Sequence, residues 1–301
     1  MSTKYVLTLS CPDQQGLVAE VSGLIAEHGC NITSSDQFAD VDSGCFFMRV
    51  AFTSCDAEQT CESLRDVIRP TANKFQMQWT LHNASKPQRV LILVSKFDHC
   101  LMDLLYRRER GALNMDVPAV ISNHKDAYRL TASYDIAYHQ WPVTKDNKME
   151  QEEKLLNLID EEQIDLIVLA RYMQVLTDKV CRRLEGRVIN IHHSFLPSFK
   201  GAVPYQQAYH KGVKLIGATA HYVTPDLDEG PIIEQNVARV NHAMSVEDLV
   251  AQGRDVERVT LAEAVKLHLE HRVLLNGSKT VALRFQNALQ NTALELRPSL
   301  W

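Results

Sequence analysis

The stretch Arg89-Val90-Leu91-Ile92-Leu93-Val94-Ser95 carries an unbroken apolar run from Val90 to Val94. A strand with one wet face alternates apolar and polar side chains. An unbroken run therefore fits a strand covered on both faces, as in a parallel sheet flanked by helices. Further runs follow at Pro118-Ala119-Val120-Ile121, at Ile164-Asp165-Leu166-Ile167-Val168-Leu169 and at Val188-Ile189-Asn190. Amphipathic stretches separate them, the clearest being Glu152 to Ile159 with Leu155, Leu156 and Ile159 at helical spacing. This alternation predicts a doubly wound, Rossmann-like α/β domain. After about residue 214 the pattern changes to two long strands, Lys214 to Val223 and Pro231 to Val240. Ser245-Val246-Glu247-Asp248 then reads as a capping box opening a long helix.

The chain before Arg89 has a different rhythm. Tyr5 to Leu9 reads as a strand broken by Cys11-Pro12-Asp13-Gln14-Gln15-Gly16, and Leu17, Val18, Val21, Leu24 and Ile25 recur at helical spacing up to Gly29. An extended segment around Gln37-Phe38-Ala39, a turn at Val41-Asp42-Ser43-Gly44 and a strand from Cys45 to Phe52 follow. A second helix is expected from near Asp56, capped by that residue, and a last strand from about Phe75 to Leu81. The order β-α-β-β-α-β is that of a ferredoxin-like unit. Asn83-Ala84-Ser85-Lys86-Pro87 reads as a linker, which divides the chain into domains 1–84 and 85–301.

The totals narrow the function class. A net charge of −5 over 301 residues gives no reason to expect a nucleic-acid partner, which would need a dense basic face. The N-terminus MSTKYVLTLS lacks the layout of a secretory signal, and no apolar run approaches bilayer length. The cysteines at 11, 30, 45, 55, 61, 100 and 181 are scattered without a CxxC pair. Reduced thiols and a cytoplasmic location are expected. No GxSxG elbow, HExxH helix or paired-cysteine metal pattern occurs.

Two segments carry candidate chemistry. In NIHHSFLPSFKG (residues 190–201) a strand runs out into a turn built around Pro197 and Gly201. Asn190 and His192 share a side of an extended chain, so an amide and an imidazole can donate to one developing oxyanion. His193 is expected to point away, which makes the histidine pair a poor bidentate metal site. A capped strand end with surface histidines fits these residues equally well. The second segment, Tyr222-Val223-Thr224-Pro225-Asp226-Leu227-Asp228-Glu229-Gly230-Pro231, is a loop with three carboxylates. One of them could serve as a general base if burial raised its pKa toward neutrality. A solvated acidic turn is the alternative.

These segments, with Thr219-Ala220-His221-Tyr222-Val223 and Leu227-Asp228-Glu229-Gly230-Pro231-Ile232-Ile233, resemble the folate-dependent formyltransferase family from about Arg89 to Val240. The resemblance implies a catalytic triad at Asn190, His192 and Asp228. It implies a folate pocket along Leu169 to Leu176, with Met173, Gln174 and Leu176, and with His221, Val223 and Thr224 lining the site. It implies 10-formyltetrahydrofolate as substrate, with no metal and no further cofactor. The first domain resembles an ACT domain in its Asp13-Gln14-Gln15-Gly16-Leu17 and Gly29-Cys30-Asn31-Ile32 turns. That resemblance implies a homo-oligomer, with either an amino-acid effector site at Asp13, Gly16, Leu17, Asn31 and Ile32 or a purely structural role.

The formyl acceptor is not fixed by fold. The relatives that use a phosphorylated acceptor carry a Gly-Ser-Asn-rich turn after the first strand. Here the turn is Ser95-Lys96-Phe97-Asp98-His99-Cys100, with a bulky ring and a negative charge where a phosphate needs close backbone approach, though Lys96 and His99 could still bind an anion. Only about 60 residues follow Val240, with no basic cluster for an RNA substrate. Water is the expected acceptor, releasing formate for purine synthesis and balancing one-carbon folate pools. Formyl transfer to an amine is the alternative. The role of the tail from Ser278 to Trp301 is open.

Overall fold

The computed structural model describes residues 2–56, 58–196 and 204–284. The expected turn around Pro197 and Gly201 lies outside the described residues, as does the tail beyond residue 284.

The first unit consists of β1 (Thr3–Pro12), α1 (Leu17–Glu27), β2 (Cys30–Asp40), β3 (Cys45–Ser54), α2 (Cys61–Lys74) and β4 (Gln78–Asn83). They form an antiparallel sheet in the order β2-β3-β1-β4. Tyr5, Leu7 and Leu9 alternate inward from β1 and meet Leu17, Val21 and Ile25 of α1 in one core. Gly16 (φ 90°) and Gly29 (φ 69°) take the left-handed turns at the two ends of α1. Two sequence expectations shift here. Thr60, not Asp56, caps α2: its hydroxyl accepts from the Ser63 amide while Ser63 returns the bond to the Thr60 amide. Asp56 instead accepts from the Glu58 amide at 2.9 Å. The last strand begins at Gln78 because Phe75 still closes α2 and Gln76 adopts φ 53°.

The second unit continues with β5 (Gln88–Val94), α3 (His99–Glu109), β6 (Met115–Asp116), β7 (Ala119–Ser122), α4 (Tyr128–Ala132) and β8 (Ala137–Gln140). Next come α5 (Lys148–Glu161), β9 (Leu166–Leu169), α6 (Asp178–Arg183), β10 (Val188–His192) and α7 (Pro204–Lys211). It ends with β11 (Leu215–Tyr222), β12 (Ile232–Arg239), α8 (Val246–Leu269), β13 (Val273–Asn276) and β14 (Lys279–Ala282). The main sheet runs β12-β11-β10-β9-β5-β7-β8, parallel from β10 to β8 and antiparallel at β11 and β12. β5 explains its own sequence. Val90, Ile92 and Val94 face a core with Leu101, Leu104 and Val265, whereas Leu91 and Leu93 face another with Leu155, Leu156 and Ile159. Both faces are covered, so every position is apolar. Ser245 and Asp248 form the expected capping box of α8. Among the described residues no helix is long and apolar enough to cross a membrane.

The β13–β14 hairpin, which sequence periodicity did not reveal, packs Leu274 and Leu283 against Phe47 of β3. Arg272, 1% exposed, reaches Asp36 of β2 at 3.1 Å and donates to the Leu283 carbonyl at 2.7 Å. His82 of β4 stacks on His271 with ring centroids 3.7 Å apart. Burial holds His268 down to about 4 and His271 down to about 3, with the neighbouring His82 adding to both shifts.

The sign of the resulting pH dependence is fixed. Below the ordinary histidine value of about 6.5 the unfolded chain binds protons that the folded chain does not. Stability therefore falls as pH drops from about 6.5 toward 4, by about 1.4 kcal/mol for each pH unit and each such histidine. Urea midpoints at pH 7.5 and pH 5 measure this. A His271→Phe variant is expected to lose part of the slope, and a flat profile in the native chain would contradict the account.

Candidate active site

A cavity of about 310 Å³ opens at the carboxyl ends of β9 and β10 and continues along the loop after β11. This is where open α/β sheets collect ligands. One wall is the loop after β9. Its backbone is tied to the end of β5, with Met173 N–H donating to Ser95 Oγ at 3.0 Å and Ser95 N–H to the Arg171 carbonyl at 3.3 Å. Met173, Gln174 and Leu176 line the cavity, as do His221, Val223 and Thr224. Met173, Val175 and Leu227 are exposed apolar side chains at this wall, a surface suited to a flat aromatic ring.

The other wall brings the three expected catalytic residues together. Asn190 lies within β10 rather than at its end, directly opposite His221 of β11. His221 Nδ1 is 2.9 Å from the Tyr222 carbonyl, so that nitrogen carries the proton. Its Nε2 then accepts from Asn190 Nδ2 at 3.2 Å, leaving the amide one N–H for a ligand. Burial lowers the pKa of His221, consistent with a neutral ring.

Asp228 Oδ1 sits 3.2 Å from His192 Nδ1 and 3.8 Å from His221 Nε2. His192 is buried, and its Nε2 has no hydrogen-bond partner among the described residues. Asp228 itself adopts φ 59°, a left-handed conformation that aspartate tolerates better than most residues. The loop that carries it presses on the strand: a Cβ on Gly230 would stand 1.7 Å from the Tyr222 carbonyl oxygen. Only glycine allows that approach.

Two expectations need correction. The pKa of Asp228 is lowered, not raised toward neutrality: the hydrogen bond from His192 outweighs the opposing effect of burial, and His221 and His193 add to it. Asp228 is an anion in the resting site. His193 is not turned away. β10 ends at His192, so the strand alternation does not extend to the next residue. The two rings stack with centroids 5.2 Å apart, and His193 lines this cavity. Burial, with Arg171 and His192 nearby, brings His193 down to about 4.

The sequence reading missed a neighbouring cluster built from Arg171, Tyr205 and Glu257, with His99. Glu257, 1% exposed, takes hydrogen bonds from His99 Nε2 at 2.8 Å and from the Tyr205 hydroxyl at 2.6 Å. Burial alone would raise its carboxyl, but these bonds and the Arg171 charge outweigh that and hold it below the ordinary range. One trace was present in the sequence: Gly253 inside a 24-residue helix, where a Cβ would meet the Tyr205 ring at 2.2 Å. His99, Cys100 and Glu257 offer ligand atoms within 4.8 Å of one another. Burial keeps the Cys100 thiol well up in its protonated form, and His99 and Glu257 already bond each other. His99 and Glu257 work as a hydrogen-bonded pair beside the Cys100 thiol.

The ACT-domain positions are split between two places. Asp13 and Gly16 lie on the turn into α1 and Leu17 is its first residue, while Asn31 and Ile32 are strand residues near the start of β2 rather than a turn. The seven cysteines are unpaired.

Comparison with known proteins bears on both units. Residues 88–265 match the formyl transferase family and residues 5–59 the ACT domain family. The chain is 49% identical to the formyltetrahydrofolate deformylase of Corynebacterium sp. strain P-1, over 93% of this chain and 98% of that protein. The crystal structure of formyltetrahydrofolate deformylase from Burkholderia mallei superposes with a TM-score of 0.89 at 49% identity, covering 94% of this chain and 100% of that one. A phosphoribosylglycinamide formyltransferase from Anaplasma phagocytophilum superposes less fully, with a TM-score of 0.61 at 29% identity over 67% of this chain and 97% of that one. An ACT unit ahead of a formyl transferase unit, matched over more than nine-tenths of the chain at this identity, places the chain in the formyltetrahydrofolate deformylase family.

Proposed function

We propose that the chain hydrolyses 10-formyltetrahydrofolate to formate and tetrahydrofolate, with Asn190, His192 and Asp228 as its catalytic residues. The observation that carries this reading is the Asp228–His192 pair at 3.2 Å beside Asn190, in a cavity whose other wall is apolar. The folate ring rests along Met173, Gln174 and Leu176, with Val223 and Thr224 opposite and His221 behind Asn190. The formyl oxygen takes the second N–H of Asn190 and the Nε2–H of protonated His192. Both donors are fixed before reaction, so the oxyanion of the tetrahedral intermediate gains more from them than the ground-state carbonyl does.

Asp228, ionised and with a lowered pKa, orients the attacking water through a hydrogen bond and is too weak a base to deprotonate it beforehand. It takes the proton only as the new C–O bond forms and the water becomes acidic. On collapse the C–N bond breaks, and that proton passes to the folate nitrogen. The remaining proton of the attacking water leaves as formic acid ionises. The chemistry uses neither metal nor a further cofactor, and the released formate is suited to purine synthesis.

Supplying 10-formyltetrahydrofolate with no amine present tests the reading. Formate and tetrahydrofolate are expected in equal amounts, and formate release that requires an added amine would overturn it. In the turn after β5, the Phe97 ring lies 5.8 Å from the Arg171 guanidinium and 5.2 Å from that of Arg254. His99 is engaged by Glu257.

For the rest of the chain, the units divide at residues 84 and 85, between the last strand of one sheet and the first of the next. The long β2 is an edge strand and supplies a surface for pairing copies into a homo-oligomer. Amino-acid binding between paired domains, near Gly16 and Asn31, is the regulatory role proposed for the same unit, and a flat activity response to added amino acids would remove it. Unpaired thiols fit a reducing, cytoplasmic setting.

A further inference from the structure

Beside the reaction cavity lies a second one of about 260 Å³, and Arg171 and His193 line both. Arg171 enters from the loop after β9, held at φ 64°, and its side chain is nine-tenths buried. Its Nε lies 3.4 Å from Glu257 Oε2, an ion-pair contact outside hydrogen-bond geometry, and its Nη1 has no partner among the described residues. Glu257 offers little more, since His99 and Tyr205 already occupy its two oxygens. A buried guanidinium short of acceptors is costly, and its planar fork is the side chain best shaped to hold a carboxylate. Arg254 adds a second cation at the same wall, across the Phe97 ring. The cavity thus presents two guanidinium groups against one engaged carboxylate.

We propose that this second cavity is a small-carboxylate site that receives formate as it leaves the reaction cavity, with Arg171 as the residue that binds it. The inference rests on the hydrolytic reading, because only hydrolysis makes formate. The chemistry of the walls sets the class of ligand. An ammonium acceptor would be repelled by the two guanidinium groups, whereas an anion is attracted. Because Arg171 and His193 belong to both cavities, formate passes from one to the other while tetrahydrofolate still fills the first.

The test uses the full chain without folate, so that binding is read independently of turnover. Formate labelled with carbon-13 is titrated and its NMR line width followed, with acetate and inorganic phosphate as comparison probes. Saturable formate binding is expected, tighter than that of phosphate. Arg171→Gln should weaken it about tenfold or more. Glu257→Gln, which removes the opposing charge at nearly unchanged size, should tighten it. Loss of a merely structural contact would weaken both.

The proposal is overturned by an absence of saturable formate binding or by preference for phosphate. It is equally overturned by unchanged affinity in a folded Arg171→Gln chain, or by weaker binding in Glu257→Gln. If Arg171→Gln does not fold, the Glu257→Gln result decides alone. Formate binding by a chain that releases no formate from 10-formyltetrahydrofolate would sink the hydrolytic reading and leave the anion site standing.

Discussion

Asp228→Asn is expected to lower kcat for formate release by about a thousandfold or more while leaving a folded, folate-binding chain. The replacement is nearly isosteric, and asparagine tolerates the left-handed conformation that Asp228 adopts at φ 59°. The loop over Tyr222 therefore keeps its shape, including the close approach at Gly230. What disappears is the charge. The lowered pKa of Asp228 arises first from its hydrogen bond with His192, so the anion is the form the site stabilises. An amide neither takes a proton from water nor offers His192 a negative charge at 3.2 Å. Formate release under substrate saturation gives kcat, circular dichroism reports the fold, and titration with tetrahydrofolate reports the pocket. Near-normal turnover would remove Asp228 from the mechanism.

Asn190→Ala is expected to reduce kcat by roughly a hundredfold to a thousandfold, with KM changed only a few-fold. Its donor meets the formyl oxygen most strongly when that oxygen carries charge, so the loss falls on the transition state. The variant also leaves His221 Nε2 without its partner at 3.2 Å, a cost to stability of about 1 kcal/mol. The two effects separate in measurement, because a thermal midpoint reads the second and kcat the first. A defect confined to KM would assign Asn190 to folate binding and contradict the oxyanion role.

How legible the molecule is in its sequence depends on the range of the contacts involved. β5 is readable because two cores force every position to be apolar, and the β-α-β-β-α-β order is readable because each element buries its own periodic face. The Ser245–Asp248 box is a local signal and appears where expected. Asp56 misleads because capping depends on where the helix turns, and Thr60 with Ser63 offers the reciprocal pair. β8, at the edge of the main sheet, and the separate β13–β14 hairpin are short, partly exposed strands with too little buried face to impose a pattern.

The site divides in the same way. Asn190 and His192 are neighbours on one strand, and their spacing alone suggests a shared face. Asp228 joins them only through the β10–β11 pairing and the loop that follows. Its ionisation follows from the His192 contact, which spacing cannot supply. Tyr205 of α7 and Glu257 of α8 meet Arg171 and His193, from the loops after β9 and β10, only once the helices pack on the sheet, so no local pattern announces the cluster.

Water as the formyl acceptor is the central claim, and isotope transfer tests it most directly. The enzyme is given 10-formyltetrahydrofolate in water enriched in oxygen-18, with no amine present, for a single turnover. One oxygen-18 atom in each formate, with tetrahydrofolate formed in equal amount, is the predicted result. Formate without the label, or no formate until an amine is added and becomes formylated, would contradict it.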